Sequence, residues 1–501
     1  MNKNQLFRLA TLTFLTLLFF LMPLFINDVP TTENGTIALI YNKIASILNL
    51  NLIQKVHGAQ WINAIFIWLT IFIVTRFVKL LLGWRAALFS AILLFLSPRF
   101  IGASLLNLID IPFAFAYILT ITLIYTFVRE LPRYKLKRVI SLTLSALFTT
   151  CIHPAGSILI IYILVFPIIA LILKINVKWH FITHKKQAVF KLITIISSLA
   201  LLVFLVAVLV SKFIYKIPIN QPLEALNMFN DFTNVDYQIF DSKLWVQSDL
   251  PNYYLLKYLF ITTPLVILIG VFLFFVLIYV KRKEQNPLLI YVILGTLLFP
   301  LIFSYFSNMT ANAYWSIYYM SVPLIIILSV MGVEYILRTI DDRYVNSVIV
   351  FVLFLLLLPP LRHVTVTAPA TSSYFNEFSG NISSSYGKYS LDLNAHHPKM
   401  ASKMLMKFIY NFEIRGLKDS KTILVYTDAT INCELYFVEY PFVKVQYGTL
   451  EQFHNGKGDY FISFADKQTP QVLKNEIWPP NNVLFTMYVE NVPIATFLKR
   501  K

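Results

Sequence analysis

The chain has 501 residues, of which 57% are hydrophobic and only 13% charged, with a formal net charge of +17 at pH 7. A soluble domain carries about 25% charged residues, so this composition excludes an ordinary soluble enzyme and predicts a polytopic α-helical membrane protein. The lysines and arginines cluster in short tracts between apolar runs rather than along one stripe, which reads as orientation signal and excludes a nucleic acid partner.

Apolar runs suited to a ~30 Å hydrocarbon core fall at 7–26, 59–81, 86–97, 111–128, 139–153, 156–173, 192–214, 258–280, 287–306, 314–337 and 346–361. They predict about 11 transmembrane helices, the short ones tilting or ending in a cavity. The N-terminal stretch MNKNQLFRLATLTFLTLLFFLMPLFI has no small-residue cleavage site and is followed by many spans, so it reads as a retained first helix. Basic segments alternate with poor ones: Lys3 and Arg8, then 76–85, 129–138, 174–191, 281–283, and Arg338 with Arg343 share one side. The positive-inside rule then puts the N-terminus in the cytoplasm of a multi-pass plasma (inner) membrane protein.

On the opposite, periplasmic or extracellular side lie two sizeable loops, near 27–56 and 216–257, and a tail. The organisation expected is a membrane domain over 1–363 and an external soluble domain over 364–501. In the first loop, TIALIYNKIASILNL has helical periodicity and is expected to lie in the interface. In the tail, HPKMASKMLMKFIYNF predicts a helix, and TILVYTD, FVKVQYG and DYFISFA predict strands. NVLFTMYVENVPIATFLKR predicts a hairpin turning near Glu490 and Asn491. This tail is long enough to bury its own α/β or α+β core. Cys151 and Cys433 fall in different environments and give no disulfide framework. The sequons at Asn34, Asn308 and Asn381 all land on the external side and matter only in a secretory pathway.

The polar residues near the spans are the candidates for chemistry, because an ionisable group at a helix centre costs roughly 2.5–3.5 kcal/mol. SPRFIGASLLNLIDIPFAFAYI places Arg99, Asn107 and Asp110 between two apolar runs. Asp110 before Ile-Pro suits a helix N-cap, a role compatible with facing a cavity. Asp28 and Glu33, just past the first span, can each serve as a general base, a carboxylate in reach of an acceptor proton. A solvated loop acid is the plain alternative for either. Arg99, His153 and Lys257 fall near the outer face, a height suited to a lipid phosphate; snorkelling explains such cations equally well. Glu334, near a cytoplasmic helix end, reads as structural. There is no nucleotide loop, no metal-spaced His/Cys set and no Ser-His-Asp pattern. No metal ligands are therefore assigned and no cofactor is indicated, and a lipid-linked substrate is the natural expectation.

LSPRFIGASLLNLIDIPFAFAY resembles the SPRF…NPKDIPFA stretch of bacterial membrane glycosyltransferases of the GT-C type. These are relatives of the protein O-mannosyltransferases and aminoarabinose transferases (GT39-like). HGAQWINAIF, CIHPAGSILI, DLPNYYLLKYLFITTPL, the run from YFNEFSG to HHPKMASKML, and WPPNNVLFTMYVENVPIATFLK follow in the same order. The likeness covers nearly the whole chain, most closely in the variety common in Bacteroidetes. It implies a bundle binding a polyprenyl-phosphate sugar, a first-loop carboxylate that deprotonates an acceptor hydroxyl, and inverting transfer to an acceptor that is lipid, glycan or protein. By matching position, Asp110, Asn107, Arg99 and Lys257 are the family's aspartate, asparagine, arginine and lysine, and Asp392 matches an aspartate of the tail. The chain departs from the pattern at Ile109, where the family has Lys, and at His153, where it has Arg. It departs again at Trp315-Ser316-Ile317, where relatives have Trp-Arg-His. These departures leave two further readings open beside the enzyme, a catalytically degenerate relative that binds a lipid or partner, and a transporter.

Overall fold

Each of the eleven apolar runs contains a helix. The computed structural model describes residues 3–21, 36–50, 52–104, 108–131, 134–172, 185–213, 237–246, 249–280, 287–307, 309, 311–368, 371–391, 396–412, 422–429, 433–437, 440–456 and 458–500. The bundle comprises α1 (Lys3–Leu21), α2 (Thr36–Ile47), α3 (Leu52–Leu82), α4 (Trp84–Phe95), α5 (Pro98–Ser104), α6 (Asp110–Glu130) and α7 (Leu136–Ile152). It continues with α8 (Ile158–Ile172), α9 (Lys185–Phe213), α10 (Tyr254–Thr262), α11 (Leu265–Val280), α12 (Pro287–Phe306), α13 (Ala311–Thr339) and α14 (Arg343–Thr367).

Among the described residues, seven helices are long and apolar enough to cross a membrane. The number is eight if α10 and α11, bent by 111° at Thr263-Pro264, form one broken span. The apolar stretches of α1 and α4 are shorter, and α4 folds back along α3 after Gly83. α2 forms where the first loop's periodicity places a helix and exposes Leu39, Ile40, Ile44 and Ile47.

Sequence composition decides which helices are central. The apolar windows of α6 and α13 are 78% buried, whereas that of α14 is only 11% buried and leaves Phe351 and Phe354 on the surface. Such a surface is stable against lipid and costly against water. α13 meets α11 backbone to backbone, as small residues allow in membrane helices. A Cβ on Gly332 would stand 2.1 Å from the carbonyl oxygen of Gly270. At the Arg338 end of α13, Glu334 is 4% exposed and accepts Arg85 Nε (3.1 Å) and Nη2 (2.8 Å) together with Arg338 Nε (2.8 Å).

After α14 the chain runs through short turns and α15 (Asn381–Ser385) into the sheet domain, where α16 (His396–Phe412) buries Ala401, Leu405 and Ile409 at helical spacing. A two-stranded hairpin, β1 (Tyr237–Phe240) and β2 (Lys243–Val246), turns at Asp241-Ser242 and bonds the tail through Ser242 N–H to Lys388 O (3.0 Å). The main sheet comprises β3 (Ile423–Thr427), β4 (Val443–Tyr447), β5 (Tyr460–Phe464), β6 (Phe485–Val489) and β7 (Val492–Lys499), in the order β4-β3-β5-β7-β6. β3 is parallel to β4 and β5, and β7 is antiparallel to β5 and β6. The β6–β7 hairpin turns at Glu490-Asn491, both at positive φ, as expected from the sequence. Just past β3, Asp428 accepts the Phe464 N–H (2.9 Å) and the Ser463 hydroxyl (2.7 Å). Cys151 and Cys433 are both free thiols.

Candidate functional site

The junction between bundle and sheet domain is built by hydrogen bonds that the bend of α10 requires. A helix leaves its last carbonyls unsatisfied, and in a membrane protein those groups need internal partners. Asn376, wholly buried, supplies them: its Nδ2 donates to Phe260 O (2.6 Å) and Thr263 O (2.8 Å), and its N–H donates to Ile261 O (2.8 Å). The same segment grips α5. Thr371 Oγ1 donates to Pro98 O (3.1 Å), and a Cβ on Gly102 would stand 2.2 Å from that hydroxyl oxygen. The two contacts bring Phe375 and Arg99 together.

Arg99 is 1% exposed. Its guanidinium carbon lies 5.0 Å from the ring centre of Phe375, 5.3 Å from that of Trp315 and 5.5 Å from that of Tyr258. Its Nη2 donates to Tyr374 O (3.4 Å), and its Nε has no partner among the described residues. Among the described residues no carboxylate pairs with it. Ring faces give a cation about 0.5–2 kcal/mol each and do not neutralise it, whereas a buried charge ordinarily has a paired counter-charge. A void of about 10 Å³ lies against Arg99 between Ser97, Thr262 and Tyr318, room for about one water.

Lys257 stands one residue before Tyr258 on α10. It forms an ion pair with Asp241 at the β1–β2 turn, and that carboxylate also accepts the hydroxyls of Tyr253 (3.1 Å) and Tyr389 (3.0 Å). Burial, then the Asp241 charge, raises the Tyr389 phenol, which keeps it a donor. The Lys257 Nζ lies 5.7 Å from both the Phe240 and Tyr389 ring centres. Tyr258 joins this group to Arg99, with its ring 5.9 Å from Tyr389 and 5.2 Å from Trp315.

Asp110 meets α13 one residue further along, at Ser316. The sequence suggested an N-cap, but Ile109 occupies that position and gives no side-chain cap, while Asp110 is the first residue of α6. Its carboxylate, 5% exposed, instead accepts the Ser316 hydroxyl at 2.5 Å. The packing of α6 against α13 decides this, since it offers a donor the local sequence does not contain. Ser316 is the position where the resemblance puts an arginine. Trp315 beside it donates to Tyr254 OH (3.2 Å) and covers Arg99.

His153 lies in the break between α7 and α8, buried, with its ring 5.2 Å from Phe113, one turn along α6 from Asp110. Its Nδ1 accepts the Ala155 N–H (3.1 Å), capping the short turn that follows. An acceptor nitrogen carries no proton, so His153 caps as neutral imidazole rather than as the cation the sequence suggested.

Arg99, Asp110, His153 and Lys257, far apart in the chain, are thus brought around the Trp315 end of α13 through Ser316, Trp315, Tyr254, Tyr258 and Phe113. Asp28, Glu33, Asn107 and Asp392 lie outside the described residues. Sequence reasoning missed Asp241, Tyr258, Phe375 and Tyr389. The available signals were the spacing of Tyr254, Lys257 and Tyr258 on one helical turn and the YF pair before Asn376. No group of three or more His, Cys, Asp or Glu arranged for a metal occurs among the described residues.

No family model matches the chain, and no curated protein does. Among solved structures it is similar to the oligosaccharyltransferase AglB from Archaeoglobus fulgidus, solved with an inhibitory peptide and a dolichol-phosphate. The identity is 12% and the TM-score 0.45, over 88% of this chain and 62% of that one. The chain thus spans less than two thirds of the length of that protein. It is also similar to ArnT from Cupriavidus metallidurans, at 11% identity and a TM-score of 0.40 for the apo state, covering 93% and 87% of the two chains. For ArnT bound to undecaprenyl phosphate the identity is 12% and the TM-score 0.41, covering 93% and 88%.

Proposed function

We propose that this multi-pass membrane protein is a GT-C type glycosyltransferase of the inner membrane. It takes a sugar from a polyprenyl-phosphate carrier and passes it to an acceptor hydroxyl on the face that carries the sheet domain. The observation that supports this best is Arg99, a buried guanidinium that has rings and one carbonyl around it but, among the described residues, no acid. A phosphate ester supplies the missing negative charge, and arginine suits phosphate because its planar fork bonds two oxygens at once. The ordered motifs of the sequence support the same reading. In the reaction, a carboxylate removes the acceptor proton and the oxygen attacks the anomeric carbon. The carbon–oxygen bond to phosphate breaks, and the phosphate leaves with that electron pair and inverted configuration at carbon. Arg99 holds the departing charge, Asp110 orients or deprotonates the acceptor, and Asp28 or Glu33 is the alternative base.

Ser316 in place of an arginine, and Lys257 already paired with Asp241, favour a second reading in which the site binds a phospho-lipid without turnover. Reconstituted protein with a labelled polyprenyl-phosphate sugar and mixed acceptors separates the two, read alongside undecaprenyl phosphate binding. Transfer lost in Asp110→Asn, Asp28→Asn or Glu33→Gln supports the enzyme. Binding without turnover supports the second reading, and absence of binding refutes both.

A further inference from the structure

Cations from three helices and a turn converge where α3 passes into α4. The Lys79 Nζ lies 4.7 Å from the ring centre of Trp84, and the Arg8 Cζ, reaching over from α1, lies 6.0 Å from the same ring. Arg85 follows Trp84 in the chain, and α13 brings Arg338, whose Nη2 donates to Leu82 O (2.5 Å). The packing of α1, α3 and α13 against α4 makes this cluster, and no single tract of the sequence contains it. The turn itself is open, because a Cβ on Gly83 would meet nothing within 4 Å.

The acids near the turn are engaged or unpaired with these cations. Glu334 takes its three bonds from Arg85 and Arg338, and Asp342 accepts the Tyr344 N–H (2.7 Å) at the start of α14. Asp341, exposed, forms no ion pair among the described residues, and neither do Arg8 and Lys79, which are exposed as well. Positive charge at this end of the bundle is expected as orientation signal. That accounts for the number of cations, but not for two of them meeting over one indole. Like charges gathered this closely repel, and an anion between them turns the repulsion into attraction. The surface beside them is apolar. Leu12, one helical turn from Arg8, is 44% exposed, and Leu80, next to Lys79, is 49% exposed.

We infer that the α3–α4 turn binds the phosphodiester of an anionic phospholipid, held by Lys79 and Arg8 over Trp84, with its acyl chains against α1 and α3. An ammonium and a guanidinium both give charge-assisted hydrogen bonds to phosphate oxygens. The charges select the headgroup. A glycerol headgroup leaves the lipid negative, whereas ethanolamine or choline carries its own cation into a cluster whose buried acid is already bonded. The exposed leucines select a lipid over a soluble phosphate. The site is independent of glycosyl transfer, and a chain that transferred nothing would still fill it.

The test is native mass spectrometry of the purified full chain with phosphatidylglycerol and phosphatidylethanolamine of matched acyl chains. The glycerol lipid should be retained about tenfold over the ethanolamine lipid. Lys79→Gln and Arg8→Gln should each lower its retention about fivefold, the scale of one cation beside an anionic headgroup. Trp84→Leu leaves the net charge as it is and should lower retention about threefold, because no ring then gathers the two cations. Lys137→Gln is the control. Lys137 is an exposed cation in the first turn of α7, in a basic segment on the same side as Lys79, and its loss should change retention by less than about twofold. The melting midpoint without lipid checks that each variant is folded. Equal retention of the two lipids, or full retention in Trp84→Leu, overturns the inference. An equal fall in Lys137→Gln and Lys79→Gln overturns it too, by reducing the preference to diffuse attraction. Displacement by glycerol 3-phosphate at the same concentration overturns the assignment to a lipid.

Discussion

At the Arg338 end of α13, Glu334 is 4% exposed and meets two arginines, one of them through two bonds. Near the Trp315 end, Arg99 is 1% exposed and meets three rings and a carbonyl. Both are buried charges in a largely apolar bundle, and both join helices distant in sequence. The first arrangement is closed, because the buried acid has its counter-charges within the fold. The second is open, because the described residues supply packing and no counter-charge. A closed cluster holds helices in register, and an open one stores a binding preference at the expense of stability.

The largest effect that would break this contrast is at Arg99. Arg99→Met should lower undecaprenyl phosphate binding or transfer by about 10²–10³-fold, the scale of losing one preorganised electrostatic contact, while the melting midpoint stays or rises. A fall in the midpoint with binding intact would make Arg99 a structural residue like Glu334. Next is Glu334→Gln, which strands two arginines. Removing one member of a buried ion pair costs 3–5 kcal/mol. Arg85 and Arg338 are 44% and 52% exposed in their side chains, so solvent screens them. A loss of about 1–3 kcal/mol is expected by thermal or denaturant unfolding in detergent, with lipid binding per folded molecule unchanged.

Asp241→Asn is smaller. It frees Lys257, and if that lysine is a reserve cation, phosphate-lipid affinity should rise severalfold in a binding titration; a drop would mean that Asp241 serves to position it. The last effect is on stability alone and concerns Asp428 in the sheet domain, where burial pushes the carboxyl up from 3.8 to about 7 despite the Ser463 and Phe464 bonds. Between these values the folded chain keeps a proton that the unfolded chain has released. Stability therefore falls as pH rises from about 4 to about 7, and the loss is complete above that. Melting curves at pH 5 and pH 8 should differ by about 2–5 °C more in the native chain than in Asp428→Asn.

The helices were legible because long apolar runs admit little else, and the β6–β7 hairpin because Glu490-Asn491 interrupts two alternating stretches. Asp110 illustrates the limit. Asp-Ile-Pro is locally a good cap, and only the packing of α6 against α13 supplies the Ser316 hydroxyl that the carboxylate takes instead. The ring enclosure of Arg99 was invisible for a different reason. Its walls come from residues 258, 315 and 375, and in a chain with 16% aromatic residues no single Tyr, Trp or Phe stands out. Arg99 itself was found from its position beside an apolar run, which is a statement about cost rather than about partners.

Asn376 belongs by sequence to the tail, yet its amide closes the corner of a membrane helix and fixes the neighbour that shields Arg99. The bundle's fold is therefore complete only once residues 371–391 are in place, and a graft of a foreign sheet domain would have to keep them with the membrane part.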